Sequence, residues 1–278
     1  MTLIAAALMS VPFAQQTDTT IPVQPGARLD LNGLRGEVVV RTWDRNEVRV
    51  EASSRDGVEI SATRRVVKIR PRSYRGVLRS VDYRLTIPVS MDVEVGGTFL
   101  DIDIQGVEGE VRAQSMSGDV LLKGGREFIK LHSVQGIVEC EGARGRISLS
   151  STNGSVRLAD AEGEIAAETI NGSVSLLNVR SGAVEATTVN GEVTYDGTIR
   201  DDGYYAFSAH NGGVTVTVPP GANATVSVST FSGGFHADFP ITLTETRGGG
   251  KRFSFVLGDG SARLDLDSFG GTIRLRRR

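Results

Sequence analysis

Four carboxylates within ten residues have the spacing nearest to that of a hydrolytic site: Asp101, Asp103, Glu108 and Glu110. Enzymes that cleave glycosidic bonds use two carboxylates at a set separation, one as general acid and one as base or nucleophile. Asp101 and Asp103, however, alternate with apolar residues, which is typical of a strand with one solvated face. We therefore expect a solvated strand here, and a carbohydrate-active β-helix enzyme acting on a polysaccharide is the alternative.

Cysteine and histidine form no redox or metal-binding pattern. Cys140 is the only cysteine, which excludes an intramolecular disulfide and a CxxC motif. It falls on an alternating apolar face, so we expect a small buried hydrophobic residue there. His132, His210 and His236 lie far apart and form no ligand-spaced pair. No metal and no cofactor is expected.

One segment of the chain is strongly basic. Its cations are Arg64, Arg65, Lys68, Arg70, Arg72, Arg75 and Arg79, followed by Arg84, with Asp82 as the only opposing charge. Such a cluster can contact carboxylates or phosphates through charge-assisted hydrogen bonds. It is the candidate binding site for an envelope glycan, a lipid headgroup or another envelope protein. A solvated strand face with a loop over 71–76 is the alternative. Only Tyr74 and Tyr83 interleave with the cations, so nucleic acid is not expected as a partner.

An internal repeat dominates the middle of the chain. The unit is Gly-x-(Val/Ile)-x-apolar, from Gly109-Glu110-Val111-Arg112-Ala113 to Gly191-Glu192-Val193-Thr194-Tyr195. Its glycines recur every nine residues with one step of ten, except that Glu127 stands in place of the glycine between Gly118 and Gly136. Nine residues hold a strand of about five residues and a turn of about four. Because one unit cannot bury its apolar face alone, the repeat predicts units stacked into a β-solenoid.

A second repeat has a period of eighteen residues. Ser133-Val134-Gln135-Gly136, Ser151-Thr152-Asn153-Gly154 and Thr169-Ile170-Asn171-Gly172 occupy equivalent places. This period predicts coils of two strands each. It also predicts a stacked ladder at one corner, where Asn-Gly pairs favour left-handed turn conformations. The ladder residues are Asn153, Gly154, Asn171, Gly172, Asn190, Gly191, Asn211 and Gly212.

Beyond Gly191 the spacing is looser. Gly212 and Gly233 follow at steps of twenty-one residues, as longer turns would give. The thirty-eight residues from Gly233 to Gly271 leave room for two coils. Within them, the Arg-Gly-Gly-Gly-Lys segment at 247–251 predicts a flexible hairpin loop.

The chain is predicted to have three regions. Residues 1–16 are predicted to be a signal peptide, because the apolar run over 3–14 is too short for a membrane span of about 20 residues and precedes a polar segment. No Lys or Arg precedes that run, so a frayed terminus is the alternative. Residues 17–95 are β-rich without the nine-residue spacing and are predicted to cap the first coil. Residues 96–278 are predicted to form the solenoid repeat domain, without a transmembrane span.

Composition favours an all-β protein. The chain has 34 glycines among 278 residues and 39% hydrophobic residues, which suits many short strands joined by tight turns around a sizeable core. A net charge of −2 gives no global attraction to nucleic acid. The predicted fold is a β-solenoid, or β-helix-like stack of short strands, with a β-rich N-terminal cap.

Several segments carry a family resemblance. They are Gly36-Glu37-Val38-Val39-Val40, Trp43-Asp44 with Glu47-Val48-Arg49-Val50, the central Asn-Gly-(Ser/Glu)-Val series, and Gly271-Thr272-Ile273-Arg274-Leu275. With them the chain resembles the bacterial putative-adhesin family of β-strand-repeat proteins, which is built on a domain of unknown function. The resemblance covers nearly all of the chain after residue 16. It implies an envelope location and adhesion, and it supplies no catalytic residues.

The expected function is that of an exported protein of the periplasm or cell surface. It would act as an adhesin-like or scaffold binding module without catalysis, presenting polar side chains of its sheet faces to a partner. The enzyme alternative requires a walled cleft. It would be favoured if the segments 196–205 and 244–252 met over one patch of acidic residues.

Overall fold

The computed structural model describes residues 15–72, 80–247 and 252–278, and the regular structure in these ranges is all β. None of the residues in these ranges forms a helix that is long and apolar enough to cross a membrane. The strands are β1 (Gln15–Pro22), β2 (Arg28–Trp43), β3 (Glu47–Ser54), β4 (Val58–Ala62), β5 (Val66–Pro71), β6 (Asp82–Pro88), β7 (Asp92–Gln105), β8 (Val111–Ser117), β9 (Val120–Lys123), β10 (Phe128–Gln135), β11 (Val138–Glu141), β12 (Arg144–Ser151), β13 (Val156–Ala159), β14 (Glu162–Asn171), β15 (Val174–Asn190), β16 (Val193–Gly197), β17 (Tyr204–Ala209), β18 (Val214–Val218), β19 (Ala224–Thr230), β20 (Phe235–Ala237), β21 (Leu243–Arg247), β22 (Arg252–Leu257), β23 (Ala262–Ser268) and β24 (Ile273–Arg277).

The strands stack into a β-solenoid with two faces, which confirms the predicted fold. Along the axis, face A has the order β4-β5-β2-β7-β8-β10-β12-β14-β15-β17-β23-β19-β22-β21. Face B has the order β1-β3-β6-β2-β7-β9-β11-β13-β15-β16-β18-β24-β20. The long strands β2, β7 and β15 bend around a corner and take part in both faces.

Successive central coils stack in parallel and in register. Ile129 of β10 pairs with Ile147 of β12, and Val138 of β11 pairs with Val156 of β13. The two residues of each pair are eighteen positions apart in the sequence, so each coil contains two strands, as the longer repeat predicts. In-register stacking places the apolar residue of one repeat above that of the next, and the apolar stripe is therefore continuous.

The core fills the space between the two faces. Every second residue of a strand points inward, so Ile129 and Val138 are fully buried while their neighbours reach solvent. In the C-terminal half, aromatic residues join the aliphatic core. The ring of Tyr195 lies 4.9 Å from that of Phe207 and 6.0 Å from that of Tyr205. These larger rings fill the core beneath the C-terminal part of face A.

A column of glycines occupies one corner between the faces. In axial order it contains Gly136, Gly154, Gly172, Gly191, Gly212, Gly271 and Gly233. A Cβ on Gly191 would stand 1.9 Å from the carbonyl oxygen of Gly172, far inside van der Waals contact. Glycine is therefore required here by the close approach of stacked backbones.

The prediction of left-handed turns at this corner is wrong. Neither the asparagines nor the glycines of the four Asn-Gly pairs have positive φ. Left-handed residues stack instead at the corner that follows face B, where φ is 71° at Gly142, 53° at Asp160 and 51° at Asn178. Asn-Gly pairs are compatible with either geometry, so the dipeptide alone did not identify the reason for the glycine.

The C-terminal coil is inserted into the stack. Strand β23 pairs with β17 on one side and with β19 on the other, and β24 lies between β18 and β20. The interval from Gly233 to Gly271 therefore does not hold two successive coils, and that expectation is wrong. An antiparallel hairpin of β21 and β22 occupies the interval and covers the end of face A. The loop predicted at 247–251 lies, apart from Arg247, outside the described residues.

The N-terminal strands show a similar insertion. Strand β2 lies between β7 on one side and β5 with β6 on the other. Antiparallel strands close this end, β4 on face A and β3 with β1 on face B. The parallel ladder thus reaches Arg28, within the segment 17–95, and the division into cap and repeat domain stays a prediction. Residues 1–14 of the predicted signal peptide lie outside the described residues.

Candidate functional site

The four predicted turn asparagines form a hydrogen-bonded ladder on the surface. Asn171 donates to Asn153 at 2.7 Å, Asn190 donates to Asn171 at 2.7 Å, and Asn211 donates to Asn190 at 2.8 Å. Behind the ladder, the buried Thr169 hydroxyl donates to a glycine carbonyl of the preceding coil at 2.8 Å. Because the side-chain amides bind one another, the ladder supports the fold and offers little to a ligand.

The predicted basic cluster lies at the N-terminal end of the solenoid. Arg64 and Arg65 lie in the turn between β4 and β5, and Lys68 is exposed on β5. The ion pairs between described residues include none of these three cations. Arg72 is exposed just after β5, while Arg75 and Arg79 lie outside the described residues.

Two further arginines of that segment add no unpaired charge to this surface. Arg70 binds the carboxylate of Asp30 at 2.8 Å and donates to the carbonyl oxygen of Asp30 at 3.0 Å, so it ties β5 to β2. Arg84 lies on β6, which belongs to face B. Among the described residues, the exposed positive charge at this end of face A that forms no ion pair therefore comes from the turn arginines, Lys68 and Arg72.

All four carboxylates considered for catalysis have partners. Asp101 accepts the backbone N–H of Asp119 in the next coil at 2.9 Å. The other three form ion pairs: Asp103 with Arg41 at 2.6 Å, Glu108 with Arg126 at 2.8 Å, and Glu110 with Arg112 at 2.6 Å. Asp103 projects from face B whereas Glu110 lies beside β8 on face A, so these carboxylates do not converge on one site.

The C-terminal coils carry a groove on face A, called here the C-terminal groove. Its floor consists of short outward side chains, Ala206 and Ser208 of β17 with Ser227 and Ser229 of β19. The groove comprises two adjoining depressions of about 460 and 770 Å³. The groove forms because larger side chains at both ends of the strands rise above the short side chains of the floor.

One wall of the groove is a stack of aromatic rings. Phe269 lies between His210 and Phe231, with its ring centroid 4.7 Å from each neighbour and interplanar angles of 13° and 6°. The spacing is that of adjacent strands, because the three residues occupy the same position in three stacked coils. Phe231 is 57% exposed and Phe269 is 46% exposed. The stack is therefore an apolar strip at the surface.

The opposite wall and the middle of the groove carry charge. Arg263 lies over the ring of Tyr204, 5.7 Å from its centroid, and binds Asp265 at 2.8 Å. Its hydrogen bond to Asp265 raises the pKa of the guanidinium above its ordinary value. Asp267 follows Asp265 on the outward side of β23, and Arg252 lines both depressions. The groove thus combines donors, acceptors and an apolar wall.

Sequence reasoning did not single out this groove. One signal was available at the position that follows Thr169, Thr188, Ala209, Thr230 and Ser268 in successive coils. The residue there is Ile170, then Val189, and becomes aromatic at His210, Phe231 and Phe269. The second signal was out of reach. Only the insertion of β23 between β17 and β19 places Phe269 between His210 and Phe231.

The remaining candidates for chemistry are not near this groove. No group of three or more His, Cys, Asp and Glu residues in the described part of the chain could hold a metal ion. Cys140 is fully buried, and burial raises the pKa of its thiol to about 12. The thiol is therefore protonated at neutral pH and packs as an apolar side chain.

Comparison with known proteins gives a family and several structural likenesses. Solved structures similar to this chain include a putative adhesin from Bacteroides fragilis, with 13% identity, a TM-score of 0.44, and coverage of 95% of this chain and 98% of that one. A putative adhesin from Parabacteroides distasonis shows 12% identity, a TM-score of 0.41, and coverage of 95% and 98%. A putative cell adhesion protein from Clostridium sporogenes shows 10% identity, a TM-score of 0.26, and coverage of 95% and 100%.

No curated protein matches the chain. The family model described as Toastrack DUF4097 matches residues 129–276, from the β10 coil to the C-terminal coil. This match spans 148 of the 278 residues and includes the glycine column, the asparagine ladder and the C-terminal groove. The chain therefore belongs to the Toastrack DUF4097 family.

Proposed function

We propose that this protein is an exported component of the bacterial envelope that acts as an adhesin-like or scaffold binding module without catalysis. We further propose that the C-terminal groove is its binding surface. The observation that carries the proposal is the groove itself, where a floor of short side chains, three of them serines, lies between an aromatic wall and a charged wall. Export rests on the apolar run over 3–14.

The scaffold supports such a role because it fixes the positions of the groove residues. Strand β23 bears Asp267 and is paired along its length with β17 and β19. Side chains on strands held from both sides lose little conformational entropy when a ligand binds. A partner of the groove would therefore meet a preformed surface.

An enzyme acting on a polysaccharide is the second candidate, and one observation favours it. Tyr204 and Arg252, which belong to the two segments expected to frame a cleft, line the same depression as Asp265 and Asp267. Two carboxylates on one side of a strand lie about 7 Å apart, a spacing used by some glycoside hydrolases. Asp265, however, is bound by Arg263 at 2.8 Å, so Asp267 would have to supply the proton to the leaving group.

The test is retention of the chain from residue 15 onward on a panel of envelope glycans, lipid vesicles and purified envelope proteins, with product analysis of every retained sugar. The proposal predicts saturable retention of one class of partner and recovery of that partner intact. Cleavage of a retained sugar, abolished by Asp267→Asn, would establish the enzyme in its place. The cluster variant Arg64→Ser, Arg65→Ser, Lys68→Ser serves as a control for nonspecific attraction of anionic probes.

A further inference from the structure

We infer that the C-terminal groove binds a neutral glycan. This inference rests on the proposed function, since it names the ligand class of the same groove. Sugar rings are amphipathic: one side presents C–H groups and the rim presents hydroxyls. A site for such a ring needs an apolar surface beside convergent hydrogen-bonding groups.

The aromatic wall supplies the apolar surface. Three rings in register, with Phe269 in the centre, give an exposed strip that continues over two 4.7 Å steps along the solenoid axis. Across the groove, the ring of Tyr204 is 48% exposed and gives a second apolar contact. The two walls are six residues apart along β17, which corresponds to about 20 Å. That distance leaves room for more than one sugar ring.

The floor supplies the hydrogen-bonding groups. Asp267 has Ser208 and Ser229 as its direct neighbours on the adjacent strands, and Arg252 lies on the strand beyond Ser229. A carboxylate accepts two hydroxyl hydrogens, serine both donates and accepts, and arginine donates to hydroxyl oxygens. Hydrogen bonds to charged groups are the stronger ones, so Asp267 is expected to contribute most.

The balance of charge favours a neutral glycan over an anionic one. The described ionic groups of the groove are two carboxylates, Asp265 and Asp267, and two guanidiniums, Arg252 and Arg263. Since Arg263 is bound to Asp265, the two remaining charges are Asp267, which repels a uronate or sulfate group on the floor, and Arg252, which offsets that charge. The groove therefore has no net positive charge to attract an anionic glycan. A neutral sugar meets no such repulsion.

The experiment measures the affinity of the chain from residue 15 onward for immobilised neutral hexasaccharides of glucose (α- and β-linked), mannose and N-acetylglucosamine. Heparin and polygalacturonate serve as anionic probes. The groove variants are Phe269→Ser and Asp267→Asn. Each has a matched control at the same repeat position outside the groove, namely Ile170→Ser, where the residue is 47% exposed, and Glu168→Gln.

The inference predicts that a neutral glycan is retained, that each groove variant weakens its binding at least about tenfold, and that each control stays within about twofold. Thermal unfolding verifies that Phe269→Ser folds; if it does not, saturation transfer from aromatic protons to sugar C–H protons in the unmodified chain tests the wall directly. Three results would overturn the inference: no neutral glycan is retained, only anionic probes bind, or the groove variants bind as tightly as their controls.

Failure of the inference is distinguishable from failure of the proposed function. Retention of a lipid or a protein that is lost in the groove variants would contradict the glycan inference and leave the binding module standing. Release of shortened sugar chains would contradict the binding module itself.

Discussion

Gly191 stacks so closely on Gly172 that a Cβ at Gly191 would stand 1.9 Å from the Gly172 carbonyl oxygen. The same approach recurs at Gly154, whose Cβ would stand 1.9 Å from the oxygen of Gly136, and at Gly212, whose Cβ would stand 1.7 Å from that of Gly191. Bare backbone therefore sets the coil spacing at this corner, next to the asparagine ladder.

Gly191→Ala should destabilise the protein by about 3 kcal/mol, because the added methyl group forces the two backbones apart. Gly182→Ala is the matched control: the nearest atom to its Cβ would be in the Arg200 side chain, at 3.6 Å, and its φ is not in the left-handed region. The control should change stability by less than about 1 kcal/mol. Urea unfolding of both variants gives the comparison, and equal destabilisation would contradict the close-approach explanation.

The asparagine ladder should contribute to stability in proportion to its hydrogen bonds. Asn171 makes two ladder bonds whereas Asn211, at the end, makes one. With each exposed bond worth about 0.5 to 1 kcal/mol, Asn171→Ala should cost about twice as much as Asn211→Ala. Denaturation midpoints measure both. If Asn211→Ala proved the more costly substitution, the ladder would not be the source of the effect.

Removal of the C-terminal coil should damage the protein far more than removal of an edge strand. Deleting 262–278 removes β23, which pairs with both β17 and β19, and β24, which pairs with both β18 and β20. Deleting β1 removes only the partner of β3. We expect hydrogen exchange in 204–237 to lose protection in the first truncation and to keep it in the second. Retained protection after the first truncation would mean that the coil is not inserted.

Cys140 should make the protein sensitive to alkaline pH. Burial raises the pKa of its thiol to about 12 in the folded chain, from 9.0 for the ordinary thiol. At a pH below the thiol pKa of the unfolded chain, the thiol is protonated in both states and the full stability is present. As the pH rises above that pKa, only the unfolded chain ionises, and the free energy of unfolding falls. At pH 10.5 the loss is about 2 kcal/mol.

Cys140→Val should remove that sensitivity. Burial also raises the pKa of Tyr195, but both proteins contain this tyrosine, so their difference isolates the thiol. Urea unfolding at pH 7.5, 9 and 10.5 measures the effect. The wild-type protein should lose stability faster than the variant over this range. Parallel pH dependence of the two proteins would show that the thiol ionises equally in the folded and unfolded chains.

Local patterns were sufficient to predict the fold. The nine-residue glycine step predicted the strands, and the eighteen-residue step predicted the register, since Val138 pairs with Val156. Charge pairs carry the same eighteen-residue offset, as in Lys123 with Glu141 at 2.9 Å. These features repeat along the chain because each central coil packs against coils of the same structure. One sequence therefore shows the same pattern several times.

The candidate site depends on a relationship that is not periodic. His210, Phe269 and Phe231 become neighbours only because the last coil enters the stack between two earlier ones. A sequence period cannot reveal the order in which coils stack. The alternation of apolar residues in β23 is equally compatible with a place after β19 and with a place between β17 and β19. The reason for glycine at the Asn-Gly corner was missed for a related cause: backbone approach depends on the next coil, not on the dipeptide.

The most direct test of the account compares two surfaces at opposite ends of the solenoid. The strongest envelope ligand found in the panel would be titrated against the groove variant Phe269→Ser, Asp267→Asn and against the cluster variant Arg64→Ser, Arg65→Ser, Lys68→Ser. The account predicts that only the groove variant loses affinity, by about tenfold or more, and that the ligand is recovered intact. Loss of affinity in the cluster variant alone, or recovery of a cleaved ligand, would contradict it.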